Sequence, residues 1–353
     1  MLFPLVIGLY CALMLLCVLG QERLRKTPPA PGLSPVCPPV TVLVPVRDEE
    51  GSVEGLMRAL LAQEYPNFEV IVIDDHSADR TREVLKPYEE KGDIRLLESD
   101  GEGKRAASLT GLAHARGVYV LTTDADCRPA SSWIGSMVAV ALNSGADMVI
   151  GPVRMEGNPL YALDYLSLQA VTAGSAAMGR PLMCSSANLL VREEVYREAE
   201  TRMEPKESCG DDQFLLEALK SEGAVIAFAA CRGAQVVTPA PASAADFLSQ
   251  RARWTGKSGS YADTGMIAAA VVTLFTQVLL ILSIALGVSQ RGQWLHWVPV
   301  AVVNLAVLFP AARFFRQERL LLWFPLAQLL YPFYAVTVVA RAFLPNRWKG
   351  RKL

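Results

Sequence analysis

The 353-residue chain has little of what marks several protein classes. Neither sign of charge dominates: 34 basic side chains stand against 35 acidic ones, for a formal net charge of −1. No broad basic field is available to displace counterions from phosphates, which excludes nucleic acid as the main partner. His76, His114 and His296 are far apart in sequence, so a histidine metal cluster is not expected. The seven cysteines are scattered and lack a CxxC pair, which argues against both a disulfide framework and a structural zinc site. Charged residues make up only 20% of the chain and hydrophobic ones 52%, a balance that excludes intrinsic disorder.

The hydrophobic excess lies at the two ends. Residues 1–21, 266–290, 292–312 and 320–340 carry no charge, and each run reaches the roughly 20 residues that cross a bilayer core as a helix. Four membrane segments are expected. A cleaved signal peptide fits the first poorly, because no basic residue precedes it and no small-x-small site ends it. Arg23, Arg25 and Lys26 follow it instead, which puts the N-terminus outside and the next segment in the cytosol. The loop at 289–296 then falls outside, with Trp294 and Trp297 as interface anchors, and Arg313, Arg316 and Arg319 fall inside. A full fourth crossing would place the basic tail, 344–353, outside, against the rule. Pro325 and Pro332 interrupt that run, so a kinked span and a re-entrant segment both stay open, and the region 266–343 holds two to three spans.

Between these ends, a proline-rich linker at 22–39 leads into a block, 40–239, of alternating strands and helices. Strands are expected at 40–46, 69–73, 94–97, 118–122 and 148–150, and helices at 53–61, 81–90, 106–115 and 132–142. Repeated βα units imply an α/β domain with a mostly parallel central sheet covered by helices. Ligands of such sheets lie beyond the carboxyl ends of the strands. Acids recur there: Asp48, Glu49 and Glu50 after the first strand, Asp74 and Asp75 after the second, Asp124 and Asp126 after 118–122. One loop carboxylate is commonly a turn or capping residue, but three clusters at corresponding strand ends repel one another unless a cation neutralises them. Oxygen ligands without histidine or cysteine point to Mg²⁺ or Mn²⁺ bridging to substrate phosphates.

In order along the chain stand Val42 to Glu50, a strand ending in Asp48-Glu49; Asp74-Asp75-His76-Ser77-Ala78-Asp79; Asp124-Ala125-Asp126; Asp211-Asp212; and Gln250-Arg251-Ala252-Arg253-Trp254. This ordered set resembles glycosyltransferase family 2, the inverting enzymes of GT-A (Rossmann-like) fold. The likeness is to its membrane-integrated branch with DxD and QxxRW motifs, which includes ceramide glucosyltransferases and cellulose, hyaluronan and poly-N-acetylglucosamine synthases. Two positions depart from the pattern: Asp48 replaces the usual Asn and His76 the usual Gly.

The resemblance implies the roles. Asp48, Glu49, Asp75, Lys104, Asp124 and Arg253 would bind the nucleotide-sugar, with Asp75 on the base and Arg253 on the diphosphate. Asp126, with Asp124, would hold the metal, and Asp212 would be the general base. Asn188, Asp211, Gln250 and Trp254 would line the acceptor side. Each has a plainer alternative. Lys104 could be a solvated turn lysine, and Asp211 and Asp212 could cap the helix beginning near 213. The segment at 240–265 could be an interfacial helix, with Trp254 at headgroup depth and Arg251, Arg253 and Lys257 on lipid phosphates. The apolar stretch 160–178 reads equally as an interfacial helix or as core.

The implied activity is transfer of a sugar from a nucleotide-sugar, a UDP-sugar by the family's pattern, to a lipid-type acceptor in the cell membrane by a multi-pass protein with a cytosolic catalytic domain. The alternative is a processive synthase of a β-linked polysaccharide, for which four apolar segments are few from which to build a channel.

Overall fold

β-branched, uncharged runs form the central strands and amphipathic stretches the helices around them, as the sequence period dictates. The computed structural model describes residues 2–27, 37–202, 211–256, 261–287, 293–344, 347–348 and 351–352. Cys209, Lys257, most of the expected linker and part of the basic tail lie outside the described residues. In chain order the elements begin with α1 (Leu2–Lys26), β1 (Val40–Val46), α2 (Val53–Leu61), β2 (Phe68–Asp74), α3 (Thr81–Glu90), β3 (Arg95–Glu98) and α4 (Lys104–His114). They continue with β4 (Tyr119–Thr122), β5 (Arg128–Pro129), α5 (Trp133–Ser144), β6 (Met148–Ile150), β7 (Val153–Glu156), α6 (Pro159–Ala177), β8 (Leu189–Arg192) and α7 (Glu193–Arg202). The last are α8 (Asp211–Ser221), β9 (Ile226–Phe228), β10 (Val236–Pro239), α9 (Ala244–Gly256), α10 (Thr264–Gly287), α11 (Trp297–Phe315) and α12 (Phe324–Ala342).

The chain divides into two compact units. One comprises Pro28–Arg154 with Cys184–Pro239; the other comprises Met1–Thr27, Met155–Met183 and Ala240–Leu353. The block 40–239 is therefore not one unbroken domain, because α6 leaves it to join the terminal helices.

The first unit is built on a seven-stranded sheet of order β3-β2-β1-β4-β8-β6-β9. All pairings are parallel except those of β8 with β4 and β6, so six strands share one direction. From β1 the strand order runs outward in two directions, to β2 and β3 on one side and to β4 on the other, and such a switch point leaves a crevice at the carboxyl ends. Register aligns Val46 with Asp74 and Leu43 with Thr122, so the loops after these three strands emerge side by side. Val42, Leu43, Val44, Ile71, Val72 and Leu121 fill the sheet's core without exposure. Gly111 lets α4 lie directly on it, since a Cβ there would come within 2.7 Å of Ile73.

In the second unit α1 and α6 cross at two glycines. A Cβ on Gly20 would sit 2.0 Å from the Gly174 carbonyl oxygen, and one on Gly174 would sit 2.4 Å from that of Cys17. Small residues at such crossings let helix backbones approach closely. Ile7, Met14 and Cys17 of α1 share a core with Leu163 and Ala170 of α6 and Val303 of α11. The stretch 160–178 is thus helix core rather than an isolated surface helix.

Among the described residues four helices, Phe3–Lys26, Thr264–Ile284, Trp297–Phe315 and Glu318–Ala342, are long and apolar enough to cross a membrane. Their outward side chains, among them Leu9, Leu16, Phe275, Val302, Leu329 and Phe333, are exposed. Three polar side chains inside pair with one another. Tyr10 donates to Asn304 at 2.7 Å, and the Asn304 amide donates to Gln328 at 2.9 Å. The last run begins as a 3-10 turn, Glu318–Trp323, and continues as one unbroken helix in which Pro325 lies in the first turn and Pro332 inside.

Replacing Gly174 by Val should wedge α1 from α6 and destabilise the protein by about 3 kcal/mol, as overpacking of a tight contact does. A lowered thermal midpoint in detergent micelles checks this; an unchanged midpoint would refute the tight crossing.

Candidate functional site

β1, β2 and β4 deliver their following loops to one edge of the sheet, and the site is assembled from those loops. Asp48 adopts φ +49° and His76 φ +54°, the left-handed region that glycine and asparagine occupy most easily. The two departures from the family's pattern therefore stand where the backbone would favour Asn and Gly. Asp48 holds this turn together: its Oδ1 accepts from the Ala78 N–H at 2.7 Å, and its own N–H donates to Ser77 Oγ at 3.0 Å. The Glu49 carboxylate accepts from Ser52 Oγ at 2.8 Å in the turn before α2.

Asp75 is buried. Its Oδ1 accepts from the Gly103 N–H at 2.9 Å, and its Oδ2 lies 3.6 Å from Arg47. Arg47 also donates to the Asp75 carbonyl at 2.8 Å. As it stands, the Asp75 carboxylate braces the turn before α4. Gly103 has φ +95°, which a side chain would strain, and this sharp turn starts α4 at Lys104, two residues earlier than expected.

Lys104 is not a solvated turn lysine. Its ammonium forms an ion pair with Asp124 and donates to Ser186 Oγ at 2.8 Å. The Ser186 N–H in turn donates to Asp212 Oδ2 at 3.0 Å, and the Gln213 N–H donates to Asp212 Oδ1 at 2.9 Å. Lys104, Thr122, Thr123, Ser186 and Asp212 line one small cleft. The chain Asp124–Lys104–Ser186–Asp212 thus joins acids 88 positions apart in sequence. Asp212 sits in the first turn of α8, the usual place for a capping acid, so capping and a chemical role are compatible. The side chain of Asp211 lies outside the described residues.

Asp124, Asp126 and Cys127 bring their ligating atoms within 4.8 Å of one another. Burial, then the charges of Asp124 and Glu49, push the Asp126 carboxyl up to about 6. Burial, then the charges of Asp124 and Asp126, push the Cys127 thiol far up, so it keeps its proton. Two crowded carboxylates and a protonated thiol suit a hard, oxygen-preferring divalent cation rather than a thiolate-bound metal. The donor set therefore fits Mg²⁺ or Mn²⁺.

Asn188 requires correction. It is fully buried, accepts from Trp133 Nε1 at 2.8 Å and donates to the carbonyls of Pro152 and Ala234 at 2.9 and 2.8 Å. All its hydrogen-bonding capacity faces inward, so it ties the β8 entry loop to its neighbours and lines no acceptor surface.

Gln250, Arg253 and Trp254 lie on α9, in the terminal-helix unit, and are described there by themselves. Trp254 is 37% exposed. Gln250 Oε1 accepts from Arg251 at 2.8 Å. Arg251, which the interfacial-helix alternative put on lipid phosphates, is buried and donates from Nε to Asp164 of α6 at 2.7 Å. Sequence reasoning missed Asp164 and Ser186. Asp164 had a signal, being the only charge within 160–178; Ser186 had none.

Asn188→Ala should strand the Trp133 N–H and two carbonyls and cost about 3 kcal/mol; a thermal midpoint equal to that of the native protein would contradict the buried role. Asp126 contributes a stability that falls as pH rises from about 4 to about 6, because the unfolded carboxyl loses its proton first. A bound cation should reverse this, so Mn²⁺ should raise the thermal midpoint at pH 7.5 and much less at pH 5, and not at all in Asp126→Asn. Equal shifts at both pH values would remove Asp126 as a ligand.

Comparison with known proteins agrees with this geometry. Residues 41–179 match the model of glycosyl transferase family 2. Glycosyltransferase AglE of Haloferax volcanii is 31% identical over 121 residues, 33% of this chain and 40% of that protein. The undecaprenyl-phosphate 4-deoxy-4-formamido-L-arabinose transferase of Pseudomonas aeruginosa is 33% identical over 123 residues, 33% of this chain and 36% of that protein. The chain thus spans about two fifths or less of the length of these curated relatives. The mannosyltransferase PcManGT of Pyrobaculum calidifontis, solved with GDP-Man and Mn²⁺, superposes with a TM-score of 0.66 over 97% of this chain and 98% of that one, at 17% identity. Residues 41–179 are thus similar to glycosyltransferase family 2, and the chain has a GT-A-like α/β fold.

Proposed function

We propose that the protein is a membrane-bound, inverting glycosyltransferase that moves a sugar from a nucleotide-sugar, a UDP-sugar by the family's pattern, to a lipid-type acceptor. The observation that carries this reading is the contact chain linking the DxD acids to Asp212 through Lys104 and Ser186. A nucleotide-sugar and Mn²⁺ in PcManGT, and a polyprenyl phosphate in the name of the Pseudomonas relative, support the donor, metal and acceptor classes.

In this reading the acceptor oxygen attacks the anomeric carbon from the face opposite the diphosphate. The carbon–oxygen bond to the diphosphate breaks, and the electron pair leaves with the nucleotide. Asp212 takes the acceptor's proton, and two N–H donors hold its carboxylate in place for that task. Asp124 and Asp126 would hold a divalent cation that, when bound, supplies positive charge to the departing diphosphate. Lys104 brings a second positive charge to the same cleft and orients Asp124. Glu49 adds to the negative field at Asp126. The motif resemblance assigns Arg253 to the diphosphate, and Gln250, Trp254 and Asp211 to the acceptor side.

The four apolar helices support a multi-pass membrane protein, and Arg23, Arg25 and Lys26 at the end of α1 support a cytosolic catalytic unit. A lipid acceptor can approach laterally, which suits so few spans better than extrusion of a polymer.

Membranes containing the protein, given radiolabelled UDP-sugars and GDP-mannose, should yield organic-extractable label. High-polymer product would overturn the lipid reading in favour of a polysaccharide synthase. Asp212→Asn should lower kcat by about 10²- to 10⁴-fold while leaving donor binding intact, as loss of a general base does; undiminished turnover would remove the base assignment.

A further inference from the structure

The buried ion pair at the heart of the terminal-helix unit has no part in the chemistry above. Arg251 and Asp164 are joined at 2.7 Å with side chains only 4% and 11% exposed. Tyr334 of α12 stacks on Phe247 of α9 beside the pair, and α6, α9 and α12 pack together there. The guanidinium lies 4.3 Å from the Trp254 ring centroid, 4.8 Å from that of Phe247 and 5.7 Å from that of Tyr165. Phe247 is itself clamped between Tyr161 at 4.2 Å and Tyr334 at 5.5 Å, both stacked.

Such a pair is a poor source of stability. Removing two charges from water costs about as much as their attraction returns, and apolar residues of similar volume commonly serve better. The hydrogen bonding is also incomplete, because Arg251 Nη2 finds no partner. What the pair does instead is touch the motif on both sides. Arg251 Nη1 donates to Gln250 Oε1 at 2.8 Å, and the guanidinium plane covers the Trp254 ring, which remains 37% exposed. One residue anchored from another helix therefore fixes the side chains of the first and last residues of QxxRW.

We infer that Asp164 and Arg251 are positioning residues that set the Gln250 amide and the Trp254 ring in the orientation needed to receive the acceptor. Asp164 holds the guanidinium, the guanidinium holds the ring through a cation–π contact, and the remaining ring surface is presented in a fixed pose. This rests on the reading of Gln250 and Trp254 as acceptor residues. A lipid-headgroup role for Arg251 conflicts with its burial and its carboxylate partner.

The test uses the full-length protein in detergent micelles, labelled with 5-fluorotryptophan, with the Trp254 fluorine resonance assigned from Trp254→Phe. Asp164→Asn and, as a second variant retaining the charge, Arg251→Lys should each shift the Trp254 resonance while leaving that of buried Trp133 in place. With a total membrane-lipid extract as acceptor probe, the half-saturating lipid concentration should rise about tenfold and the donor KM should stay within about twofold, as expected for a displaced positioning group. Asp164→Glu should restore most of both. An unmoved Trp254 resonance, or an unchanged half-saturating lipid concentration, in either folded variant would overturn the inference. Trp254→Ala separates the two readings: if it leaves lipid half-saturation unchanged, the acceptor assignment of Trp254 falls, whereas an effect of Trp254→Ala without one from Asp164→Asn or Arg251→Lys rejects only the positioning pair.

Discussion

Crowded negative charge at the carboxyl edge of three adjacent strands is the constraint on which the rest of the site depends. Burial, and then the charges of Asp124 and Glu49, hold the Asp126 carboxyl up at about 6. A fold that merely needed stability would not gather carboxylates there, because each raises the cost of ionising the next. The surroundings supply partial compensation: Lys104 pairs with Asp124, and Arg47 stands beside Asp75. The remaining demand for positive charge is what a divalent cation and its attached phosphates would meet.

The same arrangement explains why residues far apart in sequence act together. β1, β2 and β4 are neighbours in the sheet, so their loops converge without any special long-range contact. Lys104, delivered by the glycine turn before α4, then reaches across to the β8 entry loop through Ser186. That loop is itself rigid because Asn188 spends all its hydrogen bonds inward, and it carries the N–H that holds Asp212. A change at any link moves the carboxylate at the far end.

Much of this was legible in the sequence. Strand periodicity placed β1, β2, β4 and β6, and the acids after them marked the edge where the cleft opens. The charge-free runs located all four long apolar helices. The misreadings share a physical cause: sequence shows what a residue is and not which way it faces. Asn188 in a small-residue loop looked like a ligand contact and proved to be a buried tie. Arg251 was grouped with its basic neighbours, yet the lone charge of α6, Asp164, draws it inside. Ser186 acquires its place only through tertiary contact. The departure of α6 from the strand–helix block was likewise invisible, since its apolar composition fits either environment.

The central claim concerns a cation held by Asp124 and Asp126 against a donor's phosphates, and electron–nuclear double resonance on bound Mn²⁺ addresses it directly. On addition of UDP, a ³¹P hyperfine coupling to the manganese is expected in the native protein and should be lost in Asp126→Asn. Manganese that binds without phosphorus coupling, or a coupling untouched by the substitution, would contradict the metal-centred site.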